Sequence, residues 1–169
     1  MKHLKTLCIA AALIVGMTSF TYAQSKVAHI NTQELVEAMP EMMTAKAELE
    51  KLAKTYENEI RGMATELETK AKQYDAEQTT KTQEENTKRM QEVATMEQSI
   101  RQYQAQAQQD LAGKEKELLE PILVKAKDAV IKVAKAQGFE YVLDSTAGQG
   151  VILADGKNLL ADVKKELGF

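Results

Sequence analysis

The sequence predicts an α+β protein that is mostly α: a small β-rich oligomerisation body carrying one long antiparallel helical hairpin, a coiled-coil arm. Three observations predict it. Residues 41–137 hold only two glycines (Gly62, Gly113) and one proline (Pro121) among dense Ala, Glu, Lys and Gln, a composition that favours helix. Apolar residues recur through that block in two helical stripes separated by a polar gap. Residues 138–169 then regain glycine and β-branched residues, and residues 24–40 include a short apolar run.

The first stripe is Leu49, Leu52, Tyr56, Ile60, Met63, Leu67, Ala71 and Tyr74, with steps of three and four that repeat every eleven residues. The second run repeats that step independently. Ile100, Leu111, Ile122 and Val133 form one row, and Met96, Ala107, Leu118 and Ala129 another. Eleven residues over three turns is about 3.67 per turn, so each stripe runs nearly straight with a slight right-handed drift. Two long amphipathic helices follow.

Between the stripes, residues 78–89 are Lys, Thr, Gln, Glu, Asn and Arg only. Thr79, Thr80 and Thr82 lower helix propensity there, which places the tip of the hairpin near 78–83. One uninterrupted helix would have to carry the stripe across this polar gap. A reversal near residue 81 sets residue 41 roughly opposite residue 121. Pro121, which lacks the N–H a helix interior uses, then marks where the returning helix enters the body. The arm is residues 41–121, and each leg of about 40 residues extends about 60 Å at 1.5 Å per residue.

The body is discontinuous, residues 24–40 and 122–169. Lys26 to Asn31 reads as a short strand. Asn31 or Thr32 caps the helix Thr32 to Met39, which stops at Pro40. Gly138 closes the second arm helix as a C′ residue. Phe139 to Asp144 reads as a strand, Ser145 to Gly150 as a turn and Val151-Ile152-Leu153 as a further strand. Asn158 caps a last helix running to Leu167 and ending at Gly168. A unit of about 65 residues is marginal for a free-standing core. Exposed strand edges invite pairing, so the strands are expected to pack between subunits. Val27, Ile30, Val142, Leu143, Val151, Ile152 and Leu153 are the candidate oligomerisation residues.

Residues 1–23 have the three parts of a cleavable signal peptide: Lys2 and Lys5, the apolar run Leu7 to Val15, and Thr21-Tyr22-Ala23, with cleavage expected after Ala23. The run is shorter than the ~20 residues that span a bilayer. Cys8 lies inside it rather than after it, which argues against a lipoprotein. Export places the protein outside the cytoplasm. Cys8 is the only cysteine, so the processed chain has no thiol for a disulfide or a metal.

Without Lys2 and Lys5, twenty basic residues face 25 acidic ones. This balance argues against nucleic acid, whose binders carry a basic surface. One histidine remains, His29, with no converging ligands around it, and it reads as a strand residue. No phosphate-cradling glycine loop appears, and no cofactor or metal is expected. Asp144, Ser145 and Asp155 come nearest to a catalytic constellation, but capping and turn roles explain all three. The chain is not expected to be an enzyme.

The opening strand Val27 to Thr32, the helix ending Glu37-Ala38-Met39-Pro40, the return Leu118-Leu119-Glu120-Pro121-Ile122 and the stretch Gly138 to Asp144 resemble the Skp (OmpH-like) family of periplasmic chaperones. Their order and spacing carry the resemblance across essentially all of the processed chain. It implies a homotrimer formed through the β-rich body, with three helical hairpins enclosing a cavity. It also implies unfolded outer-membrane β-barrel proteins as clients, and transient contact with the membrane or the assembly machinery. One departure stands out. Well-known members are basic, whereas residues 41–137 here carry 16 basic and 18 acidic residues. Electrostatic steering of acidic clients is accordingly weak, and no lipopolysaccharide-binding residues are carried over.

The function expected is an ATP-independent periplasmic holdase that binds unfolded outer-membrane proteins between its arms and prevents their aggregation. Binding the unfolded state competes with aggregation by mass action, and several weak contacts add through multivalency. The candidate client-binding residues are Met63, Leu67, Tyr74, Met90, Val93, Met96, Ile100 and Tyr103. Methionine adapts to irregular apolar partners, but packing inside the hairpin is the simpler reading of Met63, Met90 and Met96, and Tyr74 and Tyr103 fit the seam as well as a cavity. The competing class is a structural coiled-coil spacer or scaffold of the cell envelope without client binding.

Overall fold

The computed structural model describes residues 26–169, so the signal-peptide reading lies outside the described residues. Strand β1 (Val27–Ile30) leads into helix α1 (Thr32–Ala38). Asn31 caps α1: its side chain accepts from the Glu34 N–H at 2.9 Å, satisfying a donor that the first turn leaves free. Helix α2 (Pro40–Glu77) starts on proline, where the missing N–H costs nothing.

The chain reverses through a 3₁₀ turn at Gln78–Thr80 and the extended Lys81. Thr82 and Glu85 form a reciprocal capping box that starts helix α3 (Gln83–Ala136), which explains how a turn without glycine or proline is held. The Asn86 side chain closes the tip by donating to the Gln78 carbonyl at 2.9 Å. Pro121 sits inside α3 and the helix continues through it. At 1.5 Å per residue α2 is roughly 57 Å long and α3 roughly 81 Å.

Strands β2 (Tyr141–Asp144) and β3 (Lys157–Asn158) flank β1, both parallel to it, in the order β2-β1-β3. Helix α4 (Leu160–Leu167) closes the chain at Gly168, whose φ of +91° suits a residue without Cβ. The sheet sets Ala28 and Ile30 against Leu35, Met39, Ala126, Val133, Leu159 and Val163, all buried. The architecture is therefore the expected α+β, mostly α, with a long hairpin on a small sheet-and-helix base.

Four local readings need correction. Val151-Ile152-Leu153 is not a strand, and the third strand is Lys157–Asn158 instead. Strands β2 and β3 occupy the two edges of β1, and residues 151–153 lie in the crossover that carries the chain from one edge to the other. The strand after Gly138 begins at Tyr141, because Phe139 packs against the core rather than joining the ladder. Helix α1 ends at Ala38, with Met39 as its cap. The cap of α4 is Leu159, although the Asn158 side chain still accepts from the Leu160 N–H at 2.9 Å.

Candidate functional site

The arm is a two-helix seam. All eight residues of the first stripe, Leu49 to Tyr74, are half-buried, and so are Val93, Met96, Ile100, Tyr103 and Leu111 on α3. Ala107 is 4% exposed. A two-helix hairpin has no third partner, so its apolar stripe is covered on one side only.

Polar links flank that stripe along its length. Lys125 donates to Glu41, and Lys114 pairs with Glu48 at 3.1 Å. Tyr56 donates to Asp110 at 2.9 Å and Tyr103 donates to Glu59. The two tyrosine rings meet edge to face at 5.9 Å, a favoured aromatic geometry. Nearer the tip, Lys70 and Tyr74 both donate to Glu92, the latter at 2.6 Å. Arg89 lies 4.6 Å from the Tyr74 ring centroid, a cation–π contact, and donates to Glu77 at 2.5 Å. Its other terminal nitrogen, Nη1, is buried without a partner.

These contacts set the titration of the seam. Hydrogen bonds from Lys70 and Tyr74 hold the Glu92 carboxyl below its usual range. Gln73 and Arg89 do the same for Glu77, and Lys125 for Glu41. The bond to Glu92 raises the Tyr74 hydroxyl, and the bond to Asp110 raises that of Tyr56.

This geometry places most of the candidate client-binding set in the seam. Met63, Leu67, Val93, Met96 and Ile100 belong to the seam, and Tyr74 and Tyr103 bind carboxylates across it. Only Met90, 66% exposed, stands free. A periodic stripe is what a hairpin needs to close on itself, so these side chains meet the other leg first and keep only part of their surface in water.

The base presents a different surface. One face of the sheet, with Ala28 and Ile30, lies on the core, while Tyr141 and Leu143 on the other face are exposed and Val27 is half-buried. Ile30 is 1% exposed inside its own subunit, so it is removed from the candidate interface set. Val142 is half-buried against the same core. Ile152 is fully exposed, Leu153 is 81% exposed and Val151 is half-buried.

Asp144 ties β2 to α1. It accepts from the Thr32 hydroxyl at 2.6 Å, the Thr32 N–H at 3.3 Å and the Thr146 N–H at 2.9 Å. Burial pushes its carboxyl up, but the hydrogen bonds from Thr146 and Thr32 outweigh burial and pull it down to about 2. His29 Nδ1 lies 3.1 Å from the Ser145 hydroxyl. Asp144 and Ser145 thus have structural partners.

Sequence reasoning missed the root of the arm. Met43, Leu123, Val124 and Ile131 are exposed there. Leu123 and Ile131 border an open groove of about 880 Å³ floored by Leu35, Ala126 and Val130. The signal was present in Leu118-Leu119-Glu120-Pro121-Ile122-Leu123-Val124, which carries more apolar residues than one helix face can bury.

A small sheet-and-helix base with a single long hairpin defines a class of arm-bearing proteins. The family profile for outer membrane protein (OmpH-like) matches residues 26–167. The chain belongs to that OmpH-like family. It is also similar to a crystal structure from Caulobacter crescentus CB15 described as an outer membrane chaperone (OmpH-like). The TM-score is 0.77 at 20% identity, covering 86% of this chain and 85% of that one. No curated protein matches the sequence.

Proposed function

We propose that the protein is a non-enzymatic, ATP-independent periplasmic holdase that works as an oligomer, in the first instance a trimer. It holds unfolded outer-membrane β-barrel proteins among its arms and keeps them from aggregating on the way to the outer membrane. The carrying observation is the hairpin itself, two helices of 38 and 54 residues projecting from a base whose outer sheet face leaves Tyr141 and Leu143 exposed. Membership of the OmpH-like family supports the reading, as does likeness to a protein described as an outer membrane chaperone. The base gives subunits an apolar face to share, and several arms on one assembly give many weak contacts.

A second reading, the envelope spacer, draws on one observation. Between residues 44 and 122, Met90 is the only large apolar residue counted as exposed, which leaves little surface for a client at neutral pH. Shortening the arm separates the two readings. Deleting residues 60–101 and closing the gap with a short turn leaves the base intact. The shortened protein is expected to keep its oligomeric mass in sedimentation equilibrium and to lose protection of an unfolded β-barrel protein against aggregation. Undiminished protection would place the clients on the base, and no protection by the full chain would favour the spacer.

A further inference from the structure

Between α2 and α3, every side-chain ion pair and hydrogen bond among the described residues ends on a carboxylate. Six acidic groups serve the whole seam: Glu41, Glu48, Glu59, Glu77, Glu92 and Asp110. Glu41 faces Lys125, and Glu48 faces Lys114, which also meets Glu117. Asp110 faces Tyr56, whose hydroxyl feels Glu59 as well, and Glu59 faces Tyr103. Glu77 faces Arg89 across the seam and Lys81 at the turn. Glu92 faces Lys70 and Tyr74 of α2 and Arg89 of its own helix.

The apolar layer beneath these links is thin. Between residues 46 and 121 only Ala107 is fully buried, and alanine contributes little area. Each exposed ion pair is individually weak, but the seam sets four such pairs and three tyrosine–carboxylate bonds in a row, with few buried contacts to take over. The base is built the other way, on a continuous apolar core: its surface pairs Lys132–Glu166, Lys157–Asp162 and Lys164–Glu34 lie outside that core, and Asp144 anchors β2 to α1.

We propose that protonation of this carboxylate row unzips the arm in acid and unmasks its two apolar stripes, so that the grip on unfolded polypeptide strengthens as pH falls. This inference rests on the holdase reading and names how that same arm is regulated. It gives the half-buried stripe residues Met63, Leu67, Val93, Met96 and Ile100 a fuller client-binding surface in the open state. The direction follows from linkage. Glu41, Glu77 and Glu92 are held below their ordinary value of 4.5 in the closed arm. Their contribution is therefore present above that value and is lost as pH falls through the depressed ones. The base rests on its apolar core, and Asp144 keeps its charge down to about 2, so the arm opens while the base remains folded.

The test uses spin labels at Thr65→Cys and Ser99→Cys on opposite legs of the chain from residue 24, which has no other cysteine. At pH 7 the labels are expected at a separation consistent with helix axes roughly 8–10 Å apart. At about pH 3, below the ordinary carboxyl range and above the value of about 2 at Asp144, they are expected to separate and broaden in distribution. Amide exchange at Ile30 and Val133 in the same samples is expected to stay protected. A variant carrying Glu41→Gln, Glu77→Gln and Glu92→Gln removes three charges without acid. At pH 7 it is expected to show the open distances and to bind an unfolded β-barrel protein about tenfold more tightly than the parent, about 1.4 kcal/mol. Unchanged distances in acid, or loss of base protection at the same pH, would overturn the unzipping. Open distances without tighter binding would overturn the unmasking, while the arm-deletion experiment still judges the holdase reading separately.

Discussion

Ile30, Leu35, Met39, Leu159 and Val163 of the base are at most 1% exposed, whereas Met63, Leu67, Val93, Met96 and Ile100 of the arm keep part of their surface in water. The two regions spend similar residues under different geometry. In the base, a sheet and four helix segments surround each apolar side chain. In the arm, two helices share one face. Burial stabilises in proportion to the apolar area removed from water, about 25 cal/mol per Å², so each arm residue returns less than its counterpart in the base. The base holds the fold, and the arm is free to be marginal.

The largest expected effect lies in the base core. Leu35→Ala removes a side chain that is 1% exposed, and such deletions cost about 2–5 kcal/mol through lost transfer energy and the cavity left behind. Urea unfolding followed by circular dichroism measures it. A loss no greater than that of a seam substitution would erase the distinction between the two regions.

Next comes the polar anchor. Asp144→Ala strands the Thr32 and Thr146 donors at the join of α1 and β2, and buried donors without a partner cost about 1–3 kcal/mol. The sign with pH is defined. The Asp144 carboxyl is lowered from 3.8 to about 2, so its contribution is full above 3.8 and disappears as pH falls towards 2. Stability curves of parent and variant should therefore converge in strong acid. A constant gap across that window would assign the anchor a purely steric role.

The smallest effects belong to the arm. Leu67→Ala empties a half-buried seam position and is expected to cost about 1 kcal/mol of hairpin stability. Met90→Ala alters a side chain 66% exposed and should stay within about 0.5 kcal/mol. Thermal unfolding of the two variants side by side tells them apart, and equal losses would mean that Met90 is covered in the assembled protein.

Much of the fold was legible in the residues. The eleven-residue period picked out the half-buried positions of α2 one by one, because periodicity reports directly which face of a helix leaves water. Thr79, Thr80 and Thr82 pointed to the reversal, and Thr82 supplied half of its capping box. Pairing was less legible. Val151-Ile152-Leu153 has strand composition, but composition does not say which segment pairs with β1, and this one lies in the crossover from β2 to β3. The seam also hid the site, since apolar periodicity looks the same whether it faces a client or the other leg of the hairpin.

Sequence by itself determined the helical arm, the polar gap at its tip, the Asn31 cap and the closing glycines Gly138 and Gly168, because each depends on contacts within a few residues. Tertiary structure alone decided the parallel order β2-β1-β3, the exposure of Ile152 and Leu153, and the closure of the carboxylate row across the seam. Those features join residues as far apart as Thr32 and Asp144, or Glu41 and Lys125. Such pairs are set by how the elements pack in space, which no local pattern encodes.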